Sequence, residues 1–68
     1  MNYLVIIEKA GENYSAYLPD VPGCVATGRT KEETIKNIKQ AFSMHVQGLK
    51  EDGIPLPKPK TEVKYISV

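Results

Sequence analysis

The sequence predicts a small α+β domain of order βββαβ, with a four-stranded mixed sheet in the order 3-2-1-4 and one helix on one face. Three observations predict it. Three short segments of strand character are separated by turn signals, one long amphipathic segment carries helix start and stop signals, and an alternating segment follows it. The 68 residues make one domain, residues 1–68. A domain of this size buries only about 60% of its unfolded surface, so its core is thin.

The first two strands are predicted to form a hairpin. The first strand covers Tyr3 to Glu8, which is rich in aromatic and β-branched residues, and a turn follows around Gly11. The return strand covers Tyr14 to Leu18, and its alternation places Ala16 and Tyr17 on opposite faces of the sheet.

A rigid turn leads into the third strand. Pro19, Pro22 and Gly23 restrict the backbone between the second strand and the segment Cys24 to Gly28. This third strand is rich in small residues, which allows another element to lie close over it.

One helix is predicted from Lys31 to about Glu51. The segment Thr30 to Glu33 is a capping box, in which the Thr30 hydroxyl accepts from the amide of Glu33 and the Glu33 carboxylate reaches back to the amide of Thr30. Gly53 offers a left-handed stop, and the proline two residues later forbids continuation. Residues at i, i+3 and i+4 spacing form one apolar stripe. Its members are Ile35, Ile38, Phe42, Val46 and Leu49.

The last strand is predicted from Thr61 to Ser67. The proline-rich segment 54–60 before it should be extended and stiff. A right-handed crossover through the helix brings this strand in parallel to the first strand, which gives the order 3-2-1-4.

The first strand is apolar on both of its faces, with Tyr3, Val5 and Ile7 on one side and Leu4 and Ile6 on the other. One helix covers only one face of the sheet, and an exposed apolar patch is a liability in a monomer. We therefore expect a homodimer or higher homo-oligomer, or another protein, on the remaining face. Methionine on the polar side of a helix is typical of an interface. The residues expected at the oligomer interface are Tyr3, Leu4, Val5, Ile6 and Met44.

The composition argues against several classes of function. Nine basic and eight acidic residues leave a net charge of +1, whereas a nucleic-acid-binding domain is usually strongly basic. No apolar run is long enough to span a bilayer and no signal-peptide pattern begins the chain, so we expect a cytoplasmic location and no membrane partner. One cysteine and one histidine form neither a disulfide nor a good metal set. No cofactor is expected. Since a disulfide and a metal are not available to stabilise so small a domain, oligomerisation is the remaining means of stabilisation.

No residue set in the sequence favours catalysis. His45 has no carboxylate, thiol or second imidazole within helical reach, so a structural role is favoured over a catalytic one. A metal-dependent nuclease needs converging carboxylates, but Glu8 and Glu62 stand near the ends of their strands. Cys24 is favoured as a small buried hydrophobe. Asp20 is either a partner contact or an acceptor for turn amides.

Several motifs occur together along nearly the whole chain. They are the first hairpin, Tyr17-Leu18-Pro19-Asp20 with Pro22-Gly23-Cys24, the small-residue strand, the helix start at Thr30 to Glu33, and Gly53-Ile54-Pro55-Leu56-Pro57. In these motifs the chain resembles the HicB family of antitoxin domains. The resemblance implies a cut-down ribonuclease-H-like fold that has lost catalysis. It also implies a partner, a small HicA-like toxin that cleaves messenger RNA and whose active site the antitoxin covers.

Many HicB antitoxins carry an additional DNA-binding module, and this chain has no residues for one after Val68. We therefore expect a single HicB-like domain without an autorepressor function. The residues expected to contact the toxin are Tyr17, Pro19, Asp20 and Pro22.

The rival hypothesis is a solitary nucleic-acid-binding module that has no toxin partner and uses the tyrosines and the lysine flank of the helix. The near-neutral charge makes RNA binding the less favoured alternative.

Overall fold

The computed structural model describes all residues from Met1 to Val68. Its elements are β1 (Ile6–Ala10), β2 (Asn13–Tyr17), β3 (Val25–Gly28) and α1 (Lys31–Glu51). Both strand pairs are antiparallel, and the strand order in the sheet is β1-β2-β3. The prediction of an α+β domain in which three strands precede one helix is confirmed.

The helix covers one face of the sheet. Ile7, Ala16 and Ala26 lie side by side on that face, because Ala16 pairs with Ile7 in β1 and with Ala26 in β3. Ile38 of α1 packs with Ala16 in the core. The fully buried apolar residues are Ala16, Leu18, Val21, Cys24 and Ile38, and the partly buried residues around them are Tyr3, Val5, Ile7, Ala26, Ala41 and Phe42.

The helix begins at the predicted capping box. Thr30 is extended and its hydroxyl accepts from the amide of Glu33 at 3.0 Å. The Glu33 carboxylate reaches back to the amide of Arg29, at 3.3 Å, rather than to that of Thr30. The helix ends as predicted, with Gly53 in the left-handed region at φ +67°.

The helix face that meets the sheet contains Ile38 and Phe42 of the predicted stripe but differs from it in the first turns of the helix. Thr34 and Ile38 are the buried residues of α1, whereas Ile35 lies at the exposed margin. A threonine is tolerated in this position because its hydroxyl donates to the carbonyl of Thr30 at 2.7 Å, which leaves no unsatisfied polar atom in the core.

The predicted fourth strand, Thr61 to Ser67, is not a strand in this structure. No regular element follows α1, and residues 61–68 are all exposed. A strand exists only through hydrogen bonds to a neighbour, and this segment has none within the chain. The isolated chain therefore has a three-stranded sheet and does not form the order 3-2-1-4. For the same reason β1 begins at Ile6 rather than at Tyr3, since no ladder extends to the residues before it.

The only helix, α1, is not long and apolar enough to cross a membrane.

Candidate functional site

The face of the sheet opposite α1 carries an apolar row. Ile6 pairs with Tyr17, and Tyr17 pairs with Val25, so the three side chains lie next to one another. Tyr17 is 37% exposed and Val25 is 65% exposed. We call Ile6, Tyr17 and Val25 the open face. Its presence agrees with the two-sided apolar pattern of the first strand, since no second helix exists to cover it.

The turn between β2 and β3 is held from inside the protein. The amide of Leu18 donates to the carbonyl of Cys24 at 3.2 Å, and the amide of Val21 donates to the carbonyl of Leu18 at 3.1 Å. Val21 is fully buried beneath the turn, and Cys24 is buried beside it. Burial raises the pKa of the Cys24 thiol, as expected for a small buried hydrophobe. Pro22 is left exposed on the outside.

Asp20 fastens this turn to a distant part of the chain. One carboxylate oxygen, Oδ2, accepts from the amides of Lys60 at 3.1 Å and Thr61 at 3.0 Å, and Oδ1 accepts from the Thr61 hydroxyl at 2.7 Å. We call these three hydrogen bonds the Asp20 latch. Asp20 is buried. Its carboxylate oxygens accept from Lys60 and Thr61 and not from the amides of its own turn, which were one of the two alternatives that the sequence left open.

The hydrogen bonds of the latch also set the ionisation of Asp20. The Thr61 hydroxyl contributes most, followed by the Thr61 amide, and together with Lys60 they hold the pKa of the carboxyl below its ordinary value of 3.8, although burial acts in the opposite direction. Sequence reasoning missed the latch. The acceptor and its donors are 40 and 41 residues apart, and nothing in either segment alone indicates the pairing.

A second contact holds the same part of the chain, residues 54–61, which we call the exit segment. The Tyr3 hydroxyl donates to the carbonyl of Pro57, and the Tyr3 ring lies against Phe42 with the ring centroids 5.0 Å apart. The latch and this contact bring the proline-rich exit beside the turn. Pro19, Asp20, Pro22, Pro57, Lys58 and Lys60 line one shallow depression, which we call the turn surface.

The turn surface therefore unites two motifs that are far apart in sequence. Pro19 and Pro22 come from the turn, and Pro57 comes from the exit after the helix. Prolines have fixed backbone angles, so this surface is largely preformed. Tyr17, at the end of β2, stands two residues before Pro19 and is exposed.

The five residues predicted for an oligomer interface do not form one surface. Tyr3 and Val5 line a cleft beside α1, and Leu4 and Ile6 are half-buried residues outside the core. Met44 is 76% exposed. It follows the buried Ile38 by six residues, or roughly one and two-thirds helical turns, so it lies on the side of α1 away from the sheet.

No group of three or more histidine, cysteine or acidic side chains is arranged so as to hold a metal ion. His45 is half-buried on α1.

The latch gives a prediction for Asp20→Asn. The amide keeps the shape of the carboxylate but removes its charge, and charge-assisted hydrogen bonds are about twice as strong as neutral ones. We expect the Lys60 and Thr61 amides to exchange with solvent about tenfold faster in this variant, because local opening becomes easier. Amide hydrogen exchange followed by NMR measures this effect. Asp52→Asn, which removes an exposed carboxylate at the end of α1, is the matched control and should leave both rates unchanged.

The wild-type protein should show the same opening in acid. The folded state lowers the pKa of Asp20, so the latch contributes its full stabilisation above the ordinary value of 3.8 and loses it as the pH falls through the lowered pKa. No change is expected between neutral pH and mildly acidic pH. Equal exchange rates in the wild type and Asp20→Asn at neutral pH would show that the latch does not hold the exit segment.

A family model and two solved structures agree on one family. A family model of the HicB-like antitoxin of bacterial toxin–antitoxin systems matches residues 3–67. An uncharacterized 14.9 kDa protein in the rep-hol intergenic region of Haemophilus phage HP1 is 42% identical over 67 residues, which are 98% of this chain and 50% of that protein. The chain thus spans about half the length of this relative.

Two solved structures are similar over most of the chain. One is a chain in a HicA3 and HicB3 toxin–antitoxin complex, with a TM-score of 0.72 and 37% sequence identity, in which 88% of this chain and 70% of that chain are covered. The other is the N-terminal domain of the Burkholderia pseudomallei antitoxin HicB, with a TM-score of 0.68 and 29% identity, in which 94% of this chain and 68% of that chain are covered.

Proposed function

Because this chain belongs to the HicB-like antitoxin family of bacterial toxin–antitoxin systems, we propose that it binds a small HicA-like toxin and keeps messenger RNA away from the active site of that toxin. The family resemblance identified from the sequence motifs is confirmed. Similarity to a chain from a complex of HicA3 and HicB3 supports the choice of partner. In this proposal the chain is not an enzyme. It acts in the cytoplasm by covering the toxin.

The observation that carries the proposed contact is the convergence of the two proline motifs on the turn surface. A preformed surface loses little conformational freedom on binding, and exposed tyrosines are common among the residues that dominate binding energy. Tyr17, Pro19 and Pro22 are the proposed contact residues. Asp20 contributes indirectly, because its hydrogen bonds hold the exit segment against the turn and so keep the turn surface in shape.

We place self-association at the edge of the sheet that β1 forms. Ile6 begins β1, at the opposite edge of the sheet from β3, and Leu4 lies two residues before it. A second copy covering them would remove apolar surface from water, worth roughly 25 cal/mol per Å² buried.

The first experiment identifies the partner directly. A tagged copy of the full chain is recovered from its host with and without ribonuclease treatment, and the retained proteins are identified by mass spectrometry. We expect a small basic protein to remain after the treatment, and the pure chain to inhibit RNA cleavage by that protein. Recovery of RNA alone, lost on ribonuclease treatment, would instead favour a nucleic-acid-binding module.

Tyr17→Ala tests the placement of the contact. A tyrosine at the centre of an interface typically contributes about 2 kcal/mol, so we expect the affinity for the recovered toxin to fall roughly thirtyfold. Met44→Ala, which truncates an exposed side chain on the far side of α1, serves as the control and should bind normally. Titration calorimetry measures both variants. Normal affinity for Tyr17→Ala would remove Tyr17 from the proposed toxin contact while leaving the antitoxin function standing.

A further inference from the structure

The last seven residues form an extended segment that has no partner within the chain. We call residues 62–68 the arm. None of its backbone groups takes part in a hydrogen bond with the rest of the protein, and all of its residues are exposed, with Tyr65 at 96% and Ile66 at 89%. The radius of gyration is 13.3 Å, against about 11 Å for a compact domain of 68 residues. The arm therefore stands away from the domain.

The arm has the sequence of a strand. Val63, Tyr65 and Ile66 are β-branched or aromatic residues of high strand propensity. Apolar residues of this kind are seldom left fully exposed on an unpaired extended backbone, because such a segment is a template for pairing with another strand.

The base of the arm is held in place. The Asp20 latch bonds Lys60 and Thr61, and Pro57 is bonded to Tyr3 a few residues earlier. The arm thus leaves the domain from a fixed point after a stiff proline-rich segment. Such anchoring reduces the conformational entropy that the arm loses when it pairs.

The same chain also carries an unpaired strand edge. β1 pairs with β2 on one side only, because the sheet order is β1-β2-β3. Beside the chain that leads into β1 lies an open cleft of about 350 Å³ between this segment and α1. Its apolar lining includes Met1, Val5, Leu18 and Phe42.

We propose that the arm of one copy adds as a fourth strand to the free β1 edge of a second copy, which returns its own arm in the same way. Both halves of the contact occur on every chain, so a two-fold exchange satisfies both copies and closes the assembly. A different partner protein would pair either with the arm or with the β1 edge and would leave the other one unpaired. The charges are compatible, because the arm carries Glu62 and Lys64 and β1 carries Glu8 and Lys9, which allows pairs of opposite sign across the strands.

This inference does not depend on toxin binding. It goes beyond the proposed self-association by naming the element that forms it. It also accounts for the strand that the sequence pattern predicts at 61–67, since the exchange would give each sheet four strands.

Amine cross-linking of the unmodified full chain tests the exchange. Lys9 and Lys64 are both exposed, and they lie on the two elements that the exchange would bring side by side. Nitrogen-15-labelled and unlabelled proteins are unfolded together, refolded and cross-linked, so that mass spectrometry separates links within one chain from links between two. We expect Lys9–Lys64 links that join labelled to unlabelled peptides. Links within single chains only, or links between two Lys64 residues without Lys9, would overturn the proposal.

A matched pair of variants tests the role of the arm. Tyr65→Asp and Met44→Asp each place a charge on an exposed apolar residue, the first in the arm and the second on the outer side of α1. By light scattering we expect the wild type and Met44→Asp to show twice the chain mass of 7.6 kDa. Tyr65→Asp should fall to the single-chain mass with an unchanged circular dichroism spectrum. A wild-type protein of single-chain mass, or a Tyr65→Asp protein that stays dimeric, would contradict the exchange.

Discussion

Replacing Ile38 with alanine is expected to lower the free energy of unfolding by about 2–5 kcal/mol. Ile38 is 2% exposed and is the residue by which α1 enters the core. Its truncation removes buried apolar surface and leaves a cavity beneath the helix. A domain of 68 residues has a total stability of only about 3–10 kcal/mol, so the variant should be largely unfolded at physiological temperature or close to that state.

Urea denaturation followed by circular dichroism measures this effect. Ile35→Ala is the matched control, because it makes the same chemical change three residues earlier on the same helix at a position that is 36% exposed. The control should cost less than half as much, since less apolar area leaves water when Ile35 packs. Equal losses in the two variants would mean that Ile35 packs against the sheet as closely as Ile38 does.

Gly28→Ala is the second substitution with a large expected effect. A Cβ atom at Gly28 would lie 2.6 Å from Oγ1 of Thr34, 2.7 Å from its amide nitrogen and 3.0 Å from its Cα. Thr34 cannot move aside, because it is fully buried and its hydroxyl donates to the carbonyl of Thr30. We expect a loss of about 1–3 kcal/mol, the usual range for overpacking, from displacement of the helix start relative to β3.

The control for Gly28→Ala is Gly48→Ala, with the same change inside α1. A Cβ at Gly48 would meet nothing within 4 Å, and alanine favours a helix over glycine by roughly 1 kcal/mol. The two substitutions should therefore shift the thermal midpoint in opposite directions. A neutral or stabilising Gly28→Ala would show that β3 and α1 are farther apart than the structure places them.

The small-residue character of β3 has a direct connection to the proposed function. Gly28 lets the first turn of α1 lie close over β3, and the turn that precedes β3 carries Pro19 and Pro22. Displacing the helix start would strain β3, the strand that follows this turn. We therefore expect substitutions at Gly28 to weaken toxin binding through stability rather than through contact.

Much of the fold was predictable because its signals are local or periodic. The Thr30 capping box involves residues three apart, and the stop at Gly53 depends on the conformation of a single residue. The alternation in the second strand likewise separated Ala16, which is buried, from Tyr17, which is exposed. Neither kind of signal requires knowledge of what lies far away in the chain. The same reasoning showed that one helix cannot cover both faces of the first strand.

The candidate site was predictable only in part. The turn at Pro19 and Pro22 stood out by its composition, but the exit prolines gave no sign that they lie beside it. Asp20 was expected to contact a partner or its own turn, whereas it bonds residues 40 and 41 positions away. Met44 was grouped with the first strand, although its side chain is exposed on α1 and contributes nothing to the core.

Local sequence signals predicted the order of the three strands and the helix, the ends of the helix and the face of each strand that is apolar. These properties follow from backbone conformation and side-chain periodicity within a few residues. Three features depend on contacts between distant residues: the Asp20 latch joins the two proline motifs, Thr34 rather than Ile35 faces the sheet, and the segment predicted as the final strand has no partner within its own chain. Each of these depends on which distant groups come within hydrogen-bonding or packing distance, and strand pairing in particular requires a neighbour that no single segment specifies.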